Sequence, residues 1–205
     1  MQKEIIPPEI KGKNINLENS VTLETKEEAE YTFKRACTRL LNPAVWHKLA
    51  GPASAVFILT GDKGEEENRL AKEGDHFKID IPGPGPATGN GYDWVRVELI
   101  EADTNPGEDE DSCGIKLRAS IHPGTKGNET AHFFKEEATS SFVIRRKANT
   151  VTASYYGRNE MPNVATGKAT DNIRNTMVAL ASIAGLSELQ WAALLKGFLE
   201  KEIGG

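Results

Sequence analysis

A chain of 205 residues with 38% hydrophobic and 27% charged side chains can bury a core without a metal or disulfide staple, and this balance excludes the disordered and membrane-embedded classes. Its formal charge of −5 supplies no basic field to collect phosphates, so neither nucleic acid nor an anionic membrane is expected as a partner. No run approaches the ~18 consecutive apolar residues of a transmembrane helix, and Met1 to Lys13 lacks the apolar stretch of a secretory signal, so a cytoplasmic location is expected.

Taken in chain order, residues 1–20 read as an extended N-terminal arm, because Pro7 and Pro8 forbid helix there, and residues 21–205 read as a single α+β domain. Val21 to Glu24 has the pattern of a short strand. Thr25 and Glu28 form a capping box, after which Ala29, Phe33, Ala36, Cys37, Leu40 and Leu41 recur at helical spacing, predicting a helix over 26–41. Asn42 and Pro43 start a second, short helix through Trp46 and Leu49 that Gly51-Pro52 stops.

From Ser54 the hydrophobic period changes to two. Strands are predicted at Ser54 to Thr60, His76 to Ile81, Trp94 to Ala102, Cys113 to Ile121, Ser141 to Lys147 and Val151 to Gly157, the last two joined as a hairpin through Ala148-Asn149-Thr150. Phe77, Ile79, Ile81, Ile115, Leu117, Ala119 and Ile121 are expected to face inward, with Lys116, Arg118 and Ser120 on a wet outer face. Thr170 or Asp171 caps a helix carrying Ile173, Met177, Leu180, Ala181 and Ala184 that ends at Gly185, and Ser187 with Gln190 caps a last one through Ala192, Leu195, Phe198 and Leu199.

This order of elements resembles the START and Bet v1-like helix-grip superfamily, in which a curved antiparallel sheet wraps a C-terminal helix and encloses a ligand cavity. The resemblance spans residues 20–203 and rests on element order, without a motif. It implies a curved antiparallel sheet of about six strands with helices packed on one face. In one respect the chain departs from the family: Gly185 and the Ser187 cap divide a closing helix that is usually one piece.

Motifs for chemistry are sparse. The segment Pro82-Gly83-Pro84-Gly85-Pro86-Ala87-Thr88-Gly89-Asn90-Gly91 has the glycines of a phosphate loop, but three prolines remove donors and Thr88 stands where a third glycine belongs, so it reads as a stiff connection or a lid. Glu101 to Asp111 holds six carboxylates in a register that fails the EF-hand, so it reads as a solvated hairpin loop that binds Ca²⁺ only weakly. His47, His76, His122 and His132 have no zinc spacing, and Cys37 and Cys113, the only two cysteines, read as reduced packing residues. Neither a metal nor a cofactor is expected. Asn128-Glu129-Thr130 matches a glycosylation sequon that stays idle without export.

Adjacent Tyr155 and Tyr156 on one strand must face opposite ways. A tyrosine on the concave side, with Arg158 near it, could orient a carboxylate or polar head while Trp46 and Trp94 border an apolar pocket. Trp46, Trp94, Tyr155, Tyr156 and Arg158 are therefore the candidate ligand-binding residues. Three functions remain open: a binding module for a small, largely apolar ligand; a structural or protein-interaction protein without a cavity; and an enzyme using acid–base chemistry through Tyr155 or His122. No catalytic residue is assigned, and nothing specifies an oligomer.

Overall fold

A computed structural model describes residues 4–81, 91–105, 108–124, 136–161 and 188–201. The segment Pro82 to Asn90, the sequon at Asn128, His132 and the helix predicted after Asp171, with the Ser187 cap, lie outside the described residues.

The elements run β1 (Lys13–Thr22), α1 (Lys26–Leu40), a 3-10 turn (Pro43–Val45), α2 (Trp46–Ala50), β2 (Val56–Thr60), β3 (His76–Asp80), β4 (Asp93–Asn105), β5 (Glu110–Ala119), β6 (Thr139–Lys147), β7 (Thr150–Glu160) and a helix α3 over 188–199. All seven strands form one sheet in the order β1-β7-β6-β5-β4-β3-β2, and every pairing is antiparallel. Register shifts between Val97 and Leu99 and between Lys13 and Ile15 mark bulges, the device by which a sheet bends around its contents. With the helices on the inner face, this is a helix-grip arrangement of seven strands instead of about six.

The seventh strand is β1. Residues 13–22, assigned mostly to the arm by the sequence, pair along their length with β7. What remains of the arm, residues 4–12, lies against the outer face. Lys116 Nζ donates to Glu4 O at 2.7 Å and Ser141 Oγ to Ile5 O at 2.6 Å. Ile5 sits over Gly114, where a Cβ would come within 2.9 Å of Ile5 Cγ1. This corrects the expected wet face: Lys116 is only 4% exposed, because the strap covers it.

On the inner face the alternation holds, with Phe77, Ile79, Ile115, Leu117 and Ala119 buried; Ile81 and Ile121 are partly buried. Thr25 Oγ1 caps α1 by accepting from Glu28 N at 3.1 Å. Trp46 is the hub of the core, its ring centroid 5.1 Å from those of Phe57 and Phe142, 5.6 Å from Phe77 and 5.9 Å from Phe198. Its indole N–H donates to Arg39 O at 3.0 Å, so the ring is buried without stranding its polar atom.

The end of α3 is tied to α1 by two guanidinium groups. Arg39 Nη1 donates to Gly197 O at 2.9 Å and Glu200 O at 2.6 Å, and Arg35 Nη2 to Leu199 O at 3.1 Å. Carbonyls left open at a helix C-terminus favour such cations. Leu194, Leu195 and Phe198 are thereby held in the core. Cys37 and Cys113 are free thiols hydrogen-bonded to each other across α1 and β5, a contact that together with burial raises the Cys37 thiol above its ordinary range.

Candidate functional site

Strand β7 places the site. Tyr155 points inward, Tyr156 outward, Gly157 inward and Arg158 outward, as the pleat requires. Asn159 then adopts φ 58°, a left-handed conformation that asparagine tolerates better than most residues. Opposite it, the pairing passes from Ile15↔Gly157 to Lys13↔Glu160, leaving one extra residue on β7, which defines a bulge. The bulge resets the alternation, so Glu160 turns back inward beside Tyr155.

The bulge is held by the strap. Asn159 Oδ1 accepts from Ile10 N at 2.9 Å and Lys11 N at 3.1 Å, while Asn159 N donates to Asn14 Oδ1 at 3.1 Å. The conformation that aims Glu160 is thus stabilised from the outer face.

Around Tyr155 the contacts converge. Its hydroxyl donates to Glu160 Oε1 at 3.3 Å and lies 3.2 Å from Ser140 Oγ. Trp191 of α3 stacks on the Tyr155 ring at 5.3 Å and hydrogen-bonds to the hydroxyl. Phe142 packs against both rings, 4.9 Å from that of Tyr155 and 5.3 Å from that of Trp191. At Gly157 a Cβ would stand 2.5 Å from Glu160 Oε1 and 3.0 Å from Tyr155 Oη, so a side chain there would displace the carboxylate.

Electrostatically the cluster is anionic and under-paired. Glu160 is 6% exposed, and its Oε2 has no hydrogen-bond partner. Burial pushes its carboxyl up to about 7, with Glu188 adding to the rise and Tyr155 and Lys13 opposing it. Burial and the nearby Glu160 drive the Tyr155 phenol far above its usual range, so the hydroxyl remains a donor. Such a carboxyl exchanges its proton near neutral pH and presents one unsatisfied oxygen to an apolar interior.

The five candidate ligand residues are divided between the two faces. Trp46 and Tyr155 lie on the inner face, joined through Phe142. Trp94 faces outward, buried with its ring 4.5 Å from His122. Tyr156 also faces outward with Arg158 over its ring, and Arg158 donates to Ile15 O at 3.0 Å, Gly157 O at 2.9 Å and Asn16 Oδ1 at 2.7 Å. Tyr155 and His122, the acid–base candidates, are likewise on opposite faces. The sequence reading missed Glu160, Ser140 and Trp191.

Two further features lie elsewhere. A groove of about 150 Å³ on the outer face is lined by Ile6, Glu18, Val143, Arg145, Thr152, Ser154 and Tyr156. The acidic segment is strand more than loop, Glu101 to Asn105 pairing with Gly114 to Glu110. Its Asp109 and Asp111 are engaged by Arg146. Among the described residues no group of three or more His, Cys, Asp or Glu side chains could hold a metal, and no helix is long and apolar enough to cross a membrane.

No protein-family model matches the chain, and no curated protein matches it in sequence. Solved structures do align with it. Norcoclaurine synthase from Thalictrum flavum, in complex with dopamine and hydroxybenzaldehyde, is similar over 98% of this chain and 99% of its own at 11% identity and a TM-score of 0.39. Ginseng major latex-like protein 151 from Panax ginseng aligns over 83% and 95% at 12% identity and 0.33. Ara h 8.0201 aligns over 91% and 99% at 11% identity and 0.36.

Proposed function

We propose that this chain binds a small, largely apolar ligand on the inner face of its sheet, against α3. The observation that carries the reading is the free Oε2 of Glu160, buried beside Tyr155, whose ring packs with Trp191 and Phe142. A packed core normally satisfies its polar atoms, whereas ligand sites combine apolar walls with a few convergent polar groups. Trp46 supports the wall through Phe142, and Tyr155 supplies both ring and hydroxyl. Trp94, Tyr156 and Arg158 belong to the outer face and take no part in this reading.

The test is displacement of an environment-sensitive apolar dye from the full chain by fatty acids and aromatic compounds, repeated with Tyr155→Phe. Saturable displacement by the wild type, weakened several-fold by the substitution, is expected. A folded wild type that binds neither dye nor competitor removes the ligand reading. That result favours a protein-interaction role, for which the strap and the outer-face groove are the supporting observations.

A further inference from the structure

Resting on the ligand-binding reading above, we infer that the ligand's polar end is a hydrogen-bond donor, an amine in its ammonium form carried on an apolar body, and that it seats on the free oxygen of Glu160. From the sequence, a tyrosine with Arg158 near it is expected to orient a carboxylate or polar head. In the structure that guanidinium is on the opposite face, with its Nη groups engaged by Ile15 O, Gly157 O and Asn16 Oδ1.

Among the described residues around Tyr155, an anion finds no donor while Glu160 is ionised. Tyr155 directs its hydroxyl proton at Glu160 Oε1, and Ser140 and Trp191 already bond to that hydroxyl. A ligand carboxylate would meet Glu160 itself, a like charge in a poorly solvated place. A donor has the reverse fit, because Glu160 Oε2 is a buried acceptor that lacks a partner.

Charge decides between a neutral donor and a cation. Among the described residues, the charged groups acting on Glu160 are Lys13 from β1 and Glu188 from α3, with Tyr155 beside it on β7. Lys13 and Glu188 are hydrogen-bonded to each other, so their charges offset and the ionised Glu160 is left as the surplus. An ammonium neutralises it with a charge-assisted hydrogen bond, which is roughly twice as strong as a neutral one.

The experiment is calorimetric titration of the full chain with 2-phenylethylamine, 2-phenylethanol and 3-phenylpropionate at pH 6 and pH 8. With a carboxyl near 7, the fraction of Glu160 ionised rises about tenfold over that interval, so the amine is expected to bind about tenfold tighter at pH 8. The alcohol should change less than twofold, and the propionate should bind weakest. Glu160→Gln, checked for native circular dichroism, should abolish both the amine preference and its pH dependence.

Alcohol binding without an amine preference overturns this inference and leaves the ligand reading standing. A preference that persists in Glu160→Gln also overturns it, because the chain's overall negative charge would then be the cause. Binding of none of the three compounds overturns the ligand reading and the inference with it.

Discussion

The ribbon formed by β6 and β7 carries a buried ionic group at each end, and the two ends are built to opposite standards. Near the turn, Arg146 is 4% exposed, and its Nε donates to Asp111 Oδ2 at 2.7 Å and its Nη1 to Asp109 Oδ1 and Ala148 O, both at 2.8 Å. Lys26 of α1 adds a further contact to Asp109 at 2.8 Å. At the far end Glu160 is buried to a similar degree with a single hydrogen-bond partner and a bare oxygen. A fully paired ionic group fastens elements together. An under-paired one raises the free energy of the fold, and it is here that we propose the ligand seats.

The contrast makes the largest effect at the satisfied end. Arg146→Ala strands the carboxylate of Asp111, leaves Asp109 with Lys26 alone and removes the link between the two turns, so it is expected to cost about 3 kcal/mol in urea denaturation at pH 7. A loss below about 1 kcal/mol would place Arg146 with ordinary surface ion pairs and dissolve the comparison.

At the other end removal should stabilise. The folded carboxyl of Glu160 sits near 7 against an ordinary 4.5, so the folded state holds the proton more tightly than the unfolded chain does. Its contribution is therefore fully present below pH 4.5 and declines as pH rises to 7. Glu160→Gln should accordingly be more stable than the wild type at pH 8 by roughly 2 kcal/mol, with the gain vanishing at pH 4. Equal stabilities at both pH values would mean that Glu160 is not strained.

The smallest effect sharpens the description of the turn itself. Ala148 has φ 50°, a left-handed conformation that is costly for a residue with a Cβ. Ala148→Gly should stabilise the protein by about 0.5–1 kcal/mol in thermal denaturation, with no change in ligand affinity. A destabilised variant would show that the alanine methyl contributes packing.

Much of the fold was legible because the core obeys short-range periods. Phe77 and Ile79, like Ile115, Leu117 and Ala119, are buried on the face that alternation assigns, and the Thr25 cap forms as its spacing predicts. Strand β1 was obscured by polar residues at Asn14, Asn16, Glu18 and Ser20, although Ile15, Leu17 and Val21 carry the alternation that could have revealed it. Lys116 could not be read as buried, because what buries it is a backbone segment 112 residues away.

The site was the least legible part for a local reason. Alternation from Tyr155 puts Glu160 on the outer face, and only the left-handed turn at Asn159 brings it in. Asparagine in that position was the available signal, but a weak one without the side-chain contacts to Ile10 and Lys11 that hold it. Trp94 was legible by the same rule, being out of phase with the inward Val95 and Val97. Trp191 and Ser140 are near neighbours of Tyr155 only through tertiary packing.

The central claim is that the ribbon's far end holds a carboxyl whose ionisation is disfavoured until something donates to it. Carboxyl-detected NMR of the full chain, with Glu160 assigned by comparison with Glu160→Gln, follows that ionisation directly. The account predicts a Glu160 titration centred near 7 that moves downward when 2-phenylethylamine is added. A midpoint at the ordinary glutamate value, unmoved by the amine, would contradict it.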